Sequence, residues 1–300
     1  MRRPLRVLAL FASLWVGFAC LEPVSPIQPI FSLTSVLLPF PSIAQHDTLR
    51  DTSGVVKPLR VIGFNAKGDT VDTTLYTVTF LAIDSTHQLE VDGTTGFARG
   101  DTNSPFAKVV GTVTLKSNNH SIQTLAVNLP VVPVPTTAVR DTNFSFVWTP
   151  PTVATDSTSS GLISPALNVT VYASTRDTTV LGWVVSYQIV HAPPSADSQP
   201  TVVLYDPSGH DSTVSVTSTS GVASRQLRIR PGAFVSASTP DSVLVTVTVK
   251  YHGNPLPVLV TTGDTSATFV IRLQENLLST SIDAYPRRNL RRILRKNRSS

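Results

Sequence analysis

The sequence predicts an all-β chain built as two tandem β-sandwiches, and three observations predict it. Charged residues make up only 14% of the 300 residues, against a usual value of about 25%. Val, Thr and Ser fill the gap, and Val and Thr suit a pleated, half-buried surface. The 23 prolines and 15 glycines are scattered along the chain and leave long helices few places to form. Short apolar–polar alternations recur between clusters of turn residues, which is the period of strands buried on one face. The length suggests about two domains at roughly 150 residues each, and 41% apolar residues suffice for two modest cores.

Leu89 to Gly100, LEVDGTTGFARG, is the stretch around which the rest is organised. Leu89 and Val91 alternate with Glu90 as a strand does. Asp92-Gly93 is expected to make a tight turn, because glycine takes positive φ without a Cβ clash. Thr94, Thr95 and Gly96 extend it, Phe97 is expected to return an aromatic to the core, and Gly100-Asp101 turns again.

Taken in order, residues 1–19 read as a signal peptide. Three arginines lead an apolar run from Val7 to Ala19, shorter than the ~20 residues of a membrane-spanning helix. Gly17 and Ala19 form a small-x-small pattern, and Cys20, the one cysteine of the chain, follows directly. This resembles a bacterial lipoprotein signal, which implies lipidation of Cys20. Gly17 and Phe18 depart from the usual residues of that box, so secretion with an unmodified cysteine is the alternative. Another possible cut, after Ala44, would need an overlong leader. A single cysteine also excludes an intrachain disulfide. Residues 20–31 hold Pro23, Pro26 and Pro29 and form an extended spacer.

Residues 32–133 read as the first sandwich. Its expected strands are Ser32–Leu38, Val55–Phe64, Tyr76–Ile83, Gln88–Val91, Ala107–Leu115 and Ser121–Val131. Residues 65–69 and 117–120 are hairpin loops, with Gly68 at a positive-φ position. Prolines 133 and 135 end the last strand, and 134–141 read as a linker. The order of these features, with YTVTFLAID, VDGTTGFARG, AKVVGTVTL and QTLAVNLPV in succession, resembles the bacterial immunoglobulin-like group 2 domain over about a third of the chain. Members of that family often carry Trp where Phe80 stands.

Residues 142–274 read as a second sandwich. Its expected strands are Asn143–Trp148, Asn168–Ala173, Gly182–His191, Val202–Tyr205, Ser212–Thr217, Ser224–Arg230, Ser242–Tyr251 and Thr268–Leu273. Trp183 stands where a sandwich buries an aromatic. The region looks like the immunoglobulin-like modules of invasin-type surface proteins, with longer insertions at 156–160 and 192–200. Residues 275–300 form a basic tail. Leu290, Ile293 and Leu294 would share one helical face, and Arg287, Arg288, Arg291, Arg292, Arg295 and Lys296 are candidates for polyanion contact. The plainer reading is a solvated tail.

The formal charge of +5 comes from the two ends. With the ten cations at the termini set aside, 14 of the 24 remain against all 19 acids. An acidic body does not read as a nucleic-acid binder. No nucleophile elbow, GxGxxG, Walker loop, HExxH or EF-hand loop occurs. The six histidines are isolated, and there are three glutamates in all. Residues 209–212 (Gly-His-Asp-Ser) contain triad residue types but are neighbours in a row, which suits a loop.

Thirteen of the 16 aspartates precede Ser or Thr, which reads as turn punctuation. The sharper reading is calcium held by Asp69 with Asp72, or at Arg140-Asp141-Thr142.

The expectation is therefore a non-enzymatic module without cofactor or metal, serving adhesion, binding or structural spacing. It would sit in the cell envelope, lipid-anchored through Cys20 at the bacterial outer membrane, or be secreted. Its partner would be a protein or glycan at the surface. The alternative is a carbohydrate-binding accessory or enzyme-associated domain that uses loops of the second sandwich, with Trp148, Trp183, Tyr187 and Tyr205 as a sugar platform.

Overall fold

The computed structural model describes residues 30, 32–83, 87–141, 145–148, 162–174, 177–194, 199–206, 208, 210–229, 242–259 and 267–273. Every regular element among them is a strand, apart from one short 3-10 turn. The expected signal peptide at 1–19, Cys20, the expected spacer apart from Ile30, and the basic tail lie outside the described residues, as does the 156–160 stretch.

The N-terminal sheets use short strands. β1 (Ser32–Leu33), β2 (Ile43–Ala44) and β3 (Gly63–Phe64) come first. The 3-10 turn Thr73–Leu75, capped by Asp72, leads into β4 (Tyr76–Ile83). Then follow β5 (Leu89–Val91), β6 (Ala98–Gly100), β7 (Lys108–Leu115), β8 (Ser121–Gln123), β9 (Val127–Asn128) and β10 (Val131–Val132). β4, β7 and β8 form one antiparallel sheet, with β9 beside β7. β1 pairs with β3 and β5 with β6, while β2 and β10 run parallel.

Three expected strands are broken, for local reasons. The 55–64 stretch keeps ladder pairing only at β3, because Pro58 has no N–H to give. The 32–38 stretch keeps β1 and then a single bridge from Leu37 to Arg60. The 121–131 stretch divides into β8, β9 and β10. Thr124 turns inward there, and its hydroxyl accepts the Gly111 N–H at 3.0 Å.

Two details of the 89–100 stretch also differ from expectation. The positive-φ glycine is Gly96, at +75°. Gly93 instead packs against the Phe80 carbonyl, 3.2 Å from where a Cβ would sit. Phe97 is 43% exposed and does not enter the core. The turn is held by the Asp92 carboxylate, which accepts the N–H groups of Thr94 and Thr95, both at 2.9 Å.

The C-terminal sheets begin two residues after β10, with β11 (Pro135–Arg140). The reading of 134–141 as a linker is corrected here. Ala138 and Arg140 point inward in alternation, and Pro135 takes the first strand position, where its missing N–H costs nothing. β12 (Ser145–Trp148), β13 (Leu167–Ala173), β14 (Thr178–Thr179), β15 (Val184–His191), β16 (Val202–Tyr205) and β17 (Val214–Val216) follow. Last come β18 (Val222–Ile229), β19 (Ser242–Tyr251), β20 (Asn254–Pro255), β21 (Val258–Leu259) and β22 (Ala267–Leu273).

One sheet runs β16-β18-β13-β11-β21, with β14 on β13; the other runs β12-β22-β19-β15-β17, with β20 on β19. β11, β13, β18 and β16 thus lie in the A-B-E-D order, and β15, β19 and β22 in the C-F-G order, of an immunoglobulin-like sandwich. Between the sheets, Val169 and Val171 of β13, Val243 to Val247 of β19 at alternate positions, and Phe269 and Ile271 of β22 are fully buried. Period-2 alternation on each strand produces this core directly.

Polar groups also enter the interior. The Tyr187 hydroxyl of β15 donates across to the facing sheet, 3.2 Å from the Leu167 carbonyl and 3.1 Å from that of Ala223. Burial pushes its phenol well above the ordinary range. Arg225 points inward beside it and donates to Ser212 Oγ and the Ser224 carbonyl.

Candidate functional site

A cluster of side-chain contacts joins the N-terminal sheets to the C-terminal sandwich. It is built from two loop tips and a short aromatic row. One tip is Asp51 to Val55. Asp51 Oδ1 accepts from Ser53 N at 3.0 Å, Ser53 Oγ at 2.6 Å and Val55 N at 3.0 Å. Those bonds hold the Asp51 carboxyl below its ordinary pKa, the Ser53 hydroxyl first among them, and they leave Gly54 at φ +86°.

The other tip is His252-Gly253, the two-residue loop between β19 and β20, closed by the Tyr251–Asn254 pair. Its φ values of +52° and +79° are those of a type I′ turn. His252 therefore holds a left-handed conformation that costs a non-glycine residue energy.

The two tips interlock backbone to backbone. A Cβ on Gly54 would overlap the His252 carbonyl carbon and the Gly253 nitrogen, and a Cβ on Gly253 would fall 2.5 Å from the Ser53 carbonyl oxygen. Only glycine fits at both places.

Asp47 is the hub beside them. Its Oδ1 accepts the Thr48 N–H at 2.8 Å and Arg50 Nε at 3.4 Å. Its Oδ2 meets His252 Nε2 at 2.5 Å. The Asp47 side chain is 13% exposed. Tyr251 is raised above the ordinary phenol range, by burial first and then by the Asp47 charge. Arg50 continues to the Gly54 carbonyl at 3.0 Å, which ties the hub to the first tip.

The aromatic row runs underneath. Phe40 meets Trp183 at 4.8 Å between ring centroids, Trp183 meets Tyr251 at 6.0 Å, and Tyr251 stacks on His252 at 3.9 Å. Trp183 Nε1 donates to the Lys250 carbonyl at 3.1 Å, and Ser42 Oγ to the Gly182 carbonyl at 2.9 Å. The space between these groups has a cavity volume of about 30 Å³, which suits a water or two.

Sequence reasoning missed this site. His252 and Asp47 are 205 positions apart, and neither belongs to a motif. Its sequence traces are the Asp47-Thr48 pair and two glycine dipeptides, Ser53-Gly54 and His252-Gly253, the latter at the end of β19.

The predicted site residues fare differently. Cys20 and the cations Arg287, Arg288, Arg291, Arg292, Arg295 and Lys296 lie outside the described residues. The calcium candidates are engaged elsewhere: Asp69 Oδ2 accepts from Asn65 Nδ2 at 3.3 Å, and Asp72 caps the 3-10 turn by accepting Thr74 N. Arg140 donates to the Thr268 carbonyl and lies over the Phe269 ring at 5.9 Å. Thr142 lies outside the described residues. Among the described residues, no three His, Cys, Asp or Glu side chains cluster as metal ligands.

At 209–212 no triad forms. Asp211 pairs with Arg228 at 3.0 Å, Ser212 Oγ accepts from Arg225, and His210 faces Asp206 at 3.9 Å. Of the proposed sugar platform, Trp148, Trp183 and Tyr187 are buried, and Tyr205 is covered by Arg228 at 5.0 Å.

No protein-family model matches the chain, and no curated protein matches it. Among solved structures it is similar to the adhesin InvE of Yersinia pseudotuberculosis, at 12% identity and a TM-score of 0.32. That match covers 80% of this chain and 58% of the adhesin structure, so the chain spans little more than half of it. It is also similar to domains 4 and 5 of the S-layer protein SbsC, at 11% identity, 81% and 96% coverage and a TM-score of 0.22. A Parabacteroides merdae β-glucuronidase is similar at 8% identity, 80% and 24% coverage and a TM-score of 0.27. Likenesses this distant say nothing of ligand or activity.

Proposed function

We propose that the chain is a non-enzymatic module of the bacterial cell envelope that holds an attached or docking partner at a set distance from the surface. One observation carries this reading. The Gly54 and Gly253 turns interlock without room for a Cβ, and Asp47, His252 and the Phe40–Trp183 contact brace them. A junction of this kind suits parts whose relative placement matters, as it does in a spacer. The lipoprotein-like signal supplies the proximal attachment at Cys20, with the proline-rich 20–31 stretch as a stem. The partner is a protein or glycan met by the loops.

Two measurements test this. Spin labels on Asn118→Cys and Ser208→Cys, in a Cys20→Ser background, should give one narrow distance distribution. A broad distribution would remove the spacing role. Fractionation of cells making wild type and Cys20→Ser should find the first in the membrane with added acyl mass, and the second released. An unmodified, soluble wild type would make the chain a secreted module.

A further inference from the structure

We propose that the outer face of the β4-β7-β8 sheet lies against an anionic lipid surface. The proposal rests on the envelope reading for its setting and deepens it, because it names the bilayer as the contact of the N-terminal sheets.

The face follows from strand register. Residues directly opposite each other in an antiparallel pair point to the same side. Leu81 stands opposite Val110, and Ile83 opposite Lys108. Lys108 in turn stands opposite Asn128. The alternate positions Phe80, Val109 and Val113 are buried in the core, so this set points outward. Further along the same face, Thr114 and Ser121 join their hydroxyls at 2.8 Å.

A bulge adds to the face. Gln123 of β8 lies opposite Thr112, and Val127 of β9 opposite Val109. Residues 124–126 therefore face only 110 and 111, one residue more than the ladder needs. Thr124 takes the inward place, and its N–H donates to the Gly111 carbonyl at 2.8 Å. Leu125 is left pointing out beside Val110. Leu125 is 85% exposed, Phe106 in the turn before β7 is 80% exposed and Leu81 is 63% exposed. They are the three most exposed large apolar side chains among the described residues. Single exposures scattered over a surface need no explanation, but these gather at one end of one sheet.

Charge points to the occupant. Among the described residues that the register puts on this face, none is Asp or Glu, and Lys108 stands within the apolar set. The chain without its termini is acidic, with 14 of the 24 cations against all 19 acids, so this face reverses the general balance. It suits the boundary of an anionic bilayer, where apolar side chains sink among the acyl chains and a lysine reaches the headgroups. Shape agrees with charge. Side chains this exposed stand out as separate knobs, and a fluid interface closes around knobs without a matching surface. A second copy is a poorer occupant. A two-fold axis through the patch would bring two Lys108 side chains together with no acid on the face to pair them.

The tether allows this seating. The chain from Cys20 to Ile30 spans at most about 35 Å. Ile30 is buried against Gly63, and Val61, two residues before that glycine, reaches Gly111 on the inner side of β7. The attachment and the face are thus one layer apart, roughly 10 Å.

An environment-sensitive fluorophore on Leu125→Cys, in a Cys20→Ser background, tests this with vesicles of phosphatidylethanolamine and phosphatidylglycerol. The same label on Val190→Cys, 53% exposed in the C-terminal sandwich, is the control. Circular dichroism establishes that each variant is folded. On vesicles, emission at 125 should shift to the blue and be quenched by nitroxide-bearing lipid, while the label at 190 reports water throughout. Adding Leu81→Ser and Phe106→Ser should raise the vesicle concentration at half-shift about tenfold or more, since less apolar area enters the interface. An unchanged half-shift would overturn the proposal. So would sedimentation with vesicles and no change at 125, because the chain would then be held elsewhere, as by its basic tail. A blue shift at 125 without vesicles, with a dimer in analytical ultracentrifugation, would overturn it in favour of a second copy. An unmodified, soluble wild type on fractionation would sink the envelope reading and leave the vesicle result as it stands.

Discussion

Asp47 and His252 meet at 2.5 Å across 205 positions of sequence. The contact joins a carboxylate of the N-terminal sheets to the loop tip of β19 and β20. It also links Arg50, which bonds Asp47, to the aromatic row that runs from His252 through Tyr251 and Trp183 to Phe40. Stability at this junction is therefore coupled, and the coupling is measurable.

A double-mutant cycle on Asp47→Asn and His252→Asn should give a coupling energy of about 0.5–1.5 kcal/mol, the range for a partly exposed charged hydrogen bond. Asparagine at 252 tolerates the left-handed φ, so the cycle reads the side-chain pair and not the turn. Additive urea midpoints would mean that the pair contributes nothing.

Two glycines with the same φ of +86° separate space from conformation. Gly54→Ala meets the His252-Gly253 backbone, whereas Gly68→Ala meets nothing within 4 Å. Gly68→Ala should cost only the left-handed penalty of roughly 1–2 kcal/mol. Gly54→Ala should cost about 1–3 kcal/mol more, the range for overpacking. Equal losses on chemical denaturation would show that the interlock gives way freely.

Phe40→Ala should lower stability by about 3 kcal/mol, as aromatic truncation in a core does. It should also shift tryptophan emission to the red, because Trp183 loses the ring that covers it. A stability loss with unchanged emission would place Phe40 away from Trp183.

Acid should weaken the fold. Asp51, Asp72, Asp92 and Asp206 all lie below their ordinary pKa because turn N–H and hydroxyl groups bond the ionised form. A lowered folded pKa contributes stability above the unfolded value of about 3.9 and loses it as pH falls through the folded one. The urea midpoint should fall between pH 5 and pH 2, and the fall should be shallower in Asp92→Asn. Tyr187 and Tyr251 are raised by burial, so stability should also fall as pH climbs past about 10. A midpoint that is flat from pH 5 to pH 2 would contradict the role given to the aspartates.

The aspartate prediction was legible in the sequence. Asp followed by Ser or Thr reads as a turn, and Asp51 and Asp72 each bond backbone N–H groups two to four residues on; Asp92, followed by Gly93, does the same. β4, β16 and β19 fall where alternation places them, residue for residue. β11 was not legible, because prolines at 133 and 135 signal an end, and nothing local says that a new strand starts on the second of them. Phe97 misled for a related reason. Its position after a turn is compatible with either face, and the register of β5 against β6 decides which one it takes.

The sequence by itself determined the all-β class, most strand positions in the C-terminal sandwich and the turn chemistry, because each depends on residues within a few places of one another. The tertiary structure alone decided which strands lie side by side, that the strand pairs near the ends of each sheet system run parallel, and that Gly54 meets Gly253. Those depend on contacts between residues far apart in the sequence, 33 positions for Ala138–Val171 and 120 for Ala138–Val258. Local periodicity carries no information about such contacts, and the burial of a shared core selects them.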